Sequence, residues 1–296
     1  MKCIFSSSLY YPCSLGFCFL SCLFPKVQEI LHHLHLIGEP FHRVLHHLSS
    51  KYGPVMSLRF GSRPVVVVTS PSAVEECFTT NDTVLANRPP LLSFQYIGYD
   101  HTAMAVAPYG RLWRDLRRVA AFELFSTSRL KGYMAIRQDE VRWLLKSLSH
   151  DACRDFTRVE MKSWIEGLSF NVITRMVAGK RFFGAEVEDV QEARDFKEMM
   201  REVFDNSAAS NPGDFIPFLR WIDFQGLEKK LQKLQAKFDI FSETLIEEHR
   251  SERHGSSSES EAKTYIDVLL SLQESEPEDY TDNLIKGNIL VSMFLT

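Results

Sequence analysis

A chain of 296 residues, 45% hydrophobic and 24% charged, is long enough to bury a large core in one or two domains and too apolar for general disorder. Its net charge of −4, with basic residues scattered apart from one cluster, argues against nucleic-acid binding. Six irregularly spaced cysteines, none in a C-x-x-C pair, argue against a disulfide framework and a cysteine zinc site.

The first 31 residues stand apart. Leu9 to Phe24 is mostly apolar, but Pro12, Ser14, Gly16 and Ser21 interrupt it, and a spanning helix needs about 20 apolar residues. Lys2 is the single positive charge before it, which is thin for a signal peptide. We expect residues 1–31 to be an atypical hydrophobic leader, altered or wrongly assigned at its start. Glu39 to Ser50 has helical periodicity, with Phe41, Val44, Leu45 and Leu48 on one side, ended by Tyr52-Gly53-Pro54. Val55–Phe60 and Val65–Thr69, joined by Gly61-Ser62-Arg63-Pro64, read as a β-hairpin. Ser70 caps a short helix to about Thr79, with Pro71 early, where its missing donor is harmless.

Residues 91–107 read as an irregular, mostly apolar loop. Helices follow at about 109–121, 130–150, 159–179, 188–206, 225–253 and 262–275. Leu227, Leu231, Leu234, Phe238, Phe241 and Leu245 recur in steps of four and three, the mark of one long packed helix. Arg250 to Glu261, polar and rich in Gly and Ser, reads as a linker. A last helix starts at Thr281 and carries Leu284, Ile285, Ile289, Leu290, Met293 and Phe294. No cap follows it, so its apolar face is expected to lack partners and its end to be that of a truncated chain.

Chemistry is densest at Pro108-Tyr-Gly-Arg-Leu-Trp-Arg-Asp-Leu-Arg-Arg118. Trp113 and Arg117 lie four apart on one helix face, so an indole N–H and a guanidinium fork can reach one anion. His32 to His47 holds six of the ten histidines, yet no Cys or carboxylate completes a metal-ligand set.

These residues carry a family resemblance. Asn87-Arg88-Pro89-Pro90, followed by Trp113 and Arg117-Arg118, resembles the B-to-C helix region of a plant A-type cytochrome P450. Lys51-Tyr52-Gly53-Pro54 and Phe122-Glu123-Leu124-Phe125-Ser126 agree, as do Asn171-Val172-Ile173, Gly179–Gly184 and Asp214–Asp223. With His33-Leu34-His35-Leu36 before Glu39-Pro40, the text is closest to the isoflavone-hydroxylase-like group.

The resemblance implies a mainly α fold with a small β-sheet (α+β), a truncated cytochrome P450 fold from helix A to the start of helix I. Residues 32–296 would be the N-terminal part of that domain. It implies haem (iron-protoporphyrin IX), its propionates held by Trp113, Arg117 and Arg88, with Arg111 and Arg118 facing solvent. Leu92, Phe94, Tyr96, His101, Met104 and Val106 would contact substrate, joined by Val203, Phe204 and Phe215.

The partners implied are NADPH through a separate NADPH–cytochrome P450 reductase, a small aromatic isoflavonoid-like substrate, and a membrane surface on the cytosolic face of the endoplasmic reticulum. No nucleic acid is implied. The family's axial cysteine lies in Phe-x-x-Gly-x-Arg-x-Cys-x-Gly, and none of the six cysteines has those neighbours. We therefore expect the intact family member to be a haem-thiolate monooxygenase and this chain alone to be inactive. Two alternatives are a helical module binding apolar ligands and a truncated product aggregating through its leader and last helix.

Overall fold

The computed structural model describes residues 40–152, 159–184, 190–207, 211–223, 226–255 and 263–293. The 1–31 leader, Cys153, the Ser256–Glu261 part of the expected linker and Phe294 lie outside the described residues.

Helix α1 (Phe41–Tyr52) ends where Gly53 turns to a φ of 97° and its amide donates to the Ser49 carbonyl. Strands β1 (Val55–Phe60) and β2 (Arg63–Val68) pair antiparallel from Val55↔Val68 to Phe60↔Arg63, so the turn is shorter than expected. Pro64 sits within β2 opposite Arg59, tolerable because each strand of a two-stranded sheet has a free edge. Helix α2 (Pro71–Phe78) begins as expected, with the Ser70 hydroxyl accepting from the Ala73 amide.

The remaining helices are α3 (Asp82–Leu85), α4 (Leu92–Tyr96), α5 (Arg111–Glu123), α6 (Thr127–Gly132), α7 (Met134–Ala152), α8 (Met161–Ala178) and α9 (Val190–Ser207). They continue with α10 (Pro212–Phe215), α11 (Pro217–Ile222), α12 (Leu227–Gly255), α13 (Tyr265–Ser275) and α14 (Asp282–Met293). The fold is therefore mainly α with one small sheet, as expected. Among the described residues no helix is long and apolar enough to cross a membrane.

The chain divides into two compact units, one reaching to Ser93 and including Asn206–Lys230, the other holding Phe94–Asp205 and Leu231 onward. In the first, Phe60 rests between Phe41 and Phe215, with ring centroids 5.8 and 6.1 Å away. The hairpin turn grips the Phe215 carbonyl, which accepts from the Ser62 amide at 2.7 Å and its hydroxyl at 2.8 Å. Gly61 approaches so closely, at a φ of 58°, that a Cβ there would stand 2.3 Å from that carbonyl oxygen. Asp214 accepts the Leu92 amide at 2.8 Å, and Arg63 donates to the Pro90 carbonyl at 2.9 Å.

The second unit packs α8, α9, α12, α13 and α14 around one apolar cluster that includes Phe182, Phe196, Phe238, Leu269 and Ile289. Phe182 stacks on Phe196 at 4.2 Å, and Phe170 on Phe183 at 5.4 Å. The four-and-three pattern of α12 is the buried stripe of a long packed helix, with Leu231, Leu234, Phe238 and Leu245 at 0–2% exposure.

Two expectations are corrected here. The last helix does not present an unpartnered apolar face. Leu284 through Met293 are all buried, because α8, α13 and the 99–106 segment cover α14. This also removes the exposed-helix basis for aggregation. The expected linker does not begin at Arg250, since α12 continues through Gly255. Arg250 reaches Gln273 at 2.8 Å and Asp282 at 2.7 Å, while Arg253 reaches Ser271 and Glu274, both at 3.1 Å. Side-chain pairs to later helices substitute for the missing apolar anchors.

A polar hub that no local pattern announced joins α7 to α8. The fully buried Glu140 carboxylate accepts from Arg175 at 2.6 Å, Arg181 at 2.7 and 3.0 Å, and Asn171 at 3.0 Å. Asn171 in turn accepts the Phe182 and Phe183 amides and donates to the Phe183 carbonyl. A second polar knot ties α12 to α13. Thr264 and Asp267 form a capping box, and Asp267 Oδ1 lies 2.9 Å from His249 Nδ1. The other ring nitrogen, Nε2, faces the Ala178 carbonyl at 3.3 Å.

Burial alone would lower the His249 pKa, but acceptors at both ring nitrogens carry it above its ordinary value. For Asp267 burial works upward, and hydrogen bonds from His249 and Thr264 outweigh it, drawing the pKa down to about 2.

Candidate cofactor- and substrate-facing site

Helix α5 is built to show cations on one side. Leu116 and Ala120 anchor it at 0% and 3% exposure, while Arg111, Arg114, Arg117 and Arg118 are exposed. Asp115 is shared by Arg111 and Arg118, each at 3.5 Å, and Arg111 also reaches Asp279 at 3.1 Å. Arg117 has no carboxylate partner among the described residues. Its guanidinium carbon lies instead 5.1 Å from the centre of the half-buried Trp113 ring. Tyr109 packs against that indole at 5.5 Å, and Arg114 lies over Tyr109 at 5.9 Å.

The expected pair is thus brought together, one helical turn apart. An indole N–H and a guanidinium can donate hydrogen bonds but not accept them. This set suits a carboxylate such as a haem propionate, while the one carboxylate between them in sequence, Asp115, is taken up by Arg111 and Arg118. Arg88 belongs to the other unit, where it donates to the Ala86 carbonyl at 2.9 Å. Among the described residues Cys77, half-buried on α2, is the one free cysteine.

Residues 91–107 are more ordered than a loop. Leu92–Tyr96 form α4, and a left-handed turn follows at Tyr99, Asp100 and His101, with φ of 48°, 54° and 62°. Left-handed backbone costs a side-chain-bearing residue roughly 1–2 kcal/mol, so three in succession need support from what they touch. Within the turn, Thr102 Oγ1 donates to the Tyr99 carbonyl at 2.6 Å and the Ala103 amide to Gly98 at 3.1 Å.

The expected substrate contacts distribute unevenly. Phe94 and Val106 pack with Ala103 and Val291 in a small apolar cluster. Met104 borders a neighbouring cluster of Leu116, Tyr280 and Leu284. His101 is half-buried, and the Tyr96 hydroxyl accepts from Gln232 at 3.1 Å. Val203 is 1% exposed inside the main core, whereas Phe204 is 41% exposed and edges Phe170 at 6.1 Å. Leu92 and Phe215 lie in the hairpin unit, Leu92 buried and Phe215 against Phe60. Tyr99, Gly287 and Asn288 were not singled out by the sequence, yet they fix this segment; a glycine beside an asparagine in an apolar helix was the available signal.

Comparison with known proteins agrees with the fold. The sequence profile described as cytochrome P450 matches residues 23–294. Cytochrome P450 81Q32 of Catharanthus roseus is 53% identical over 262 residues, covering 88% of this chain and 51% of that protein. An isoflavone 2'-hydroxylase of Glycyrrhiza echinata is 44% identical, covering 91% and 53% respectively. An isoflavone 3'-hydroxylase of Medicago truncatula is 43% identical, covering 90% and 53%. The chain spans about half the length of these curated relatives. A zebra fish cytochrome P450 solved with progesterone shares the fold at a TM-score of 0.66 and 20% identity, over 86% of this chain and 56% of that one.

Proposed function

Because this chain belongs to the cytochrome P450 family, with the isoflavone-hydroxylase-like plant members, we propose that it forms the propionate-binding and substrate-facing part of a haem-thiolate monooxygenase. The substrate class we assign is a flat aromatic plant metabolite of the isoflavonoid kind. One observation carries the reading: the Arg117 guanidinium, with no carboxylate partner among the described residues, lies 5.1 Å from the centre of the Trp113 ring on α5.

In this reading Trp113 and Arg117 orient the haem by its carboxylate arms. When bound, such a haem supplies dioxygen cleavage, favoured by an axial cysteine thiolate. The apolar wall of Phe94, Met104 and Val106 holds the substrate's ring system and excludes water. NADPH–cytochrome P450 reductase is the proposed electron source, meeting the exposed arginines of α5. Attachment to the cytosolic face of the endoplasmic reticulum membrane is supported by α11, where Phe218, Trp221 and Ile222 are 62%, 91% and 56% exposed.

The axial-cysteine motif is absent from the 296 residues, so we propose that the chain alone binds haem weakly and performs no hydroxylation. Titrating it with haemin and following the Soret band tests this. Arg117→Ala should weaken binding about tenfold or more, the value of one charged hydrogen bond. Equal affinity in the variant would remove the propionate role. After reduction under carbon monoxide no thiolate-type Soret band should form, and its appearance would overturn the predicted inactivity.

A further inference from the structure

The left-handed turn at Tyr99–His101 is not held by its own hydrogen bonds alone. Four contacts fasten it and the residues after it to two helices of its own unit. The Tyr99 hydroxyl donates to Asp239 of α12 at 2.7 Å, and Lys286 of α14, 7% exposed, faces the same carboxylate at 3.5 Å and Glu243 at 2.6 Å. The Met104 amide donates to Asn288 Oδ1 at 3.2 Å, and Asn288 is 1% exposed with its amide nitrogen on the Leu284 carbonyl at 2.8 Å. Gly287 lies beneath both: a Cβ there would stand 3.2 Å from Ala103 Cβ and 3.2 Å from Tyr99 Cδ2. One turn on, Val291 joins the cluster of Ala103, Val106 and Phe94.

Residues 287, 288 and 291 share a helix face by their spacing. We propose that this stripe of α14 is a seat for segment 99–106, and that Gly287 and Asn288 are positioning residues fixing where the substrate wall stands. The seat's effect on substrate rests on the reading given under Proposed function. Gly287 sets the distance, because a Cβ 3.2 Å from Tyr99 and Ala103 is tighter than ordinary contact and needs both to give way by a few tenths of an ångström. Asn288 sets the register, because its single accepting oxygen fixes one backbone amide, Met104. The Tyr99–Asp239 bond closes the far end, and Lys286, 3.5 Å from the Asp239 carboxylate, helps hold it in place.

Amide hydrogen exchange on the full chain decides this. In Gly287→Ala and Asn288→Ala, residues 99–106 should exchange about tenfold faster, while the Phe182 and Phe183 amides of the Glu140 hub keep wild-type protection. Unchanged exchange in 99–106 overturns the proposal, and so does an equal rise at both places, the mark of general loosening. Should Gly287→Ala not fold, Tyr99→Phe removes only the hydroxyl and is expected to give the same local pattern.

Equilibrium dialysis with unsubstituted isoflavone separates the two readings. A wild-type chain that retains none sinks the substrate class proposed above, while the seat stands on its exchange pattern. Retention by the wild type that Asn288→Ala weakens about tenfold supports the positioning role. Equal retention by a variant with a loosened segment overturns that role.

Discussion

Glu140 shows what one side chain can hold. Two guanidiniums and an amide converge on a carboxylate of zero exposure. Glu140→Ala would take from Arg175 and Arg181, both half-buried, the carboxylate they share, with Asp139 still 3.6 Å from Arg175. Removing one partner of a buried pair is far costlier than the pair is stabilising. We expect a loss of about 3 kcal/mol in urea-denaturation stability, and a loss under about 1 kcal/mol would refute the hub's structural weight.

His249 adds a pH dependence. Its folded-state pKa lies above the ordinary value, so its contribution is complete below the ordinary histidine pKa and is lost as pH rises through the folded one. Asp267 acts oppositely, since its contribution is present above the ordinary carboxylate pKa and is lost as pH falls toward about 2. Stability should therefore fall as pH rises from the ordinary histidine range into the alkaline. His249→Gln should remove that slope, as followed by thermal denaturation at stepped pH. An unchanged slope in the variant would assign it to another group.

At the scale of elements, the hairpin turn makes the sharpest demand. Gly61 combines a φ of 58° with 2.3 Å between a hypothetical Cβ and the Phe215 carbonyl oxygen. An alanine there must strain its own backbone and displace α10. Gly61→Ala should lower stability by about 2 kcal/mol or more, read as a shift in the denaturation midpoint with the helical signal retained. A neutral substitution would mean that the turn and α10 do not hold each other.

The same hairpin shows which elements the sequence could reveal. Alternation, the Gly-Ser turn and the Ser70-Pro71 cap are local signals, and each appeared where expected within two or three residues. Helix α4 was missed because its five residues are too few for periodicity to register. The linker starts later than its composition at Arg250 indicates, because Arg250 and Arg253 pair with Gln273, Asp282 and Glu274, which no window of adjacent residues contains. The Glu140 hub escaped notice for the same reason, its partners lying 31 to 41 positions away. At the candidate site, the Trp113–Arg117 pair was legible because helical spacing alone brings the two together. The seat beneath Tyr99 was not, because it joins residues 184 positions apart.

For the whole molecule, the unbroken burial of α14 carries a consequence of timing. Leu284 through Met293 have no solvent side, and they lie under residues numbered from Phe94 to Leu272. During synthesis those earlier helices must leave the ribosome with a hole where α14 belongs. Chains grow at roughly 5–20 residues per second and fold as units, so the larger unit cannot settle until positions 282–293 have been translated and threaded into place. A product that stopped before Asp282 would lack the helix on which those side chains close and would leave their apolar surface to water.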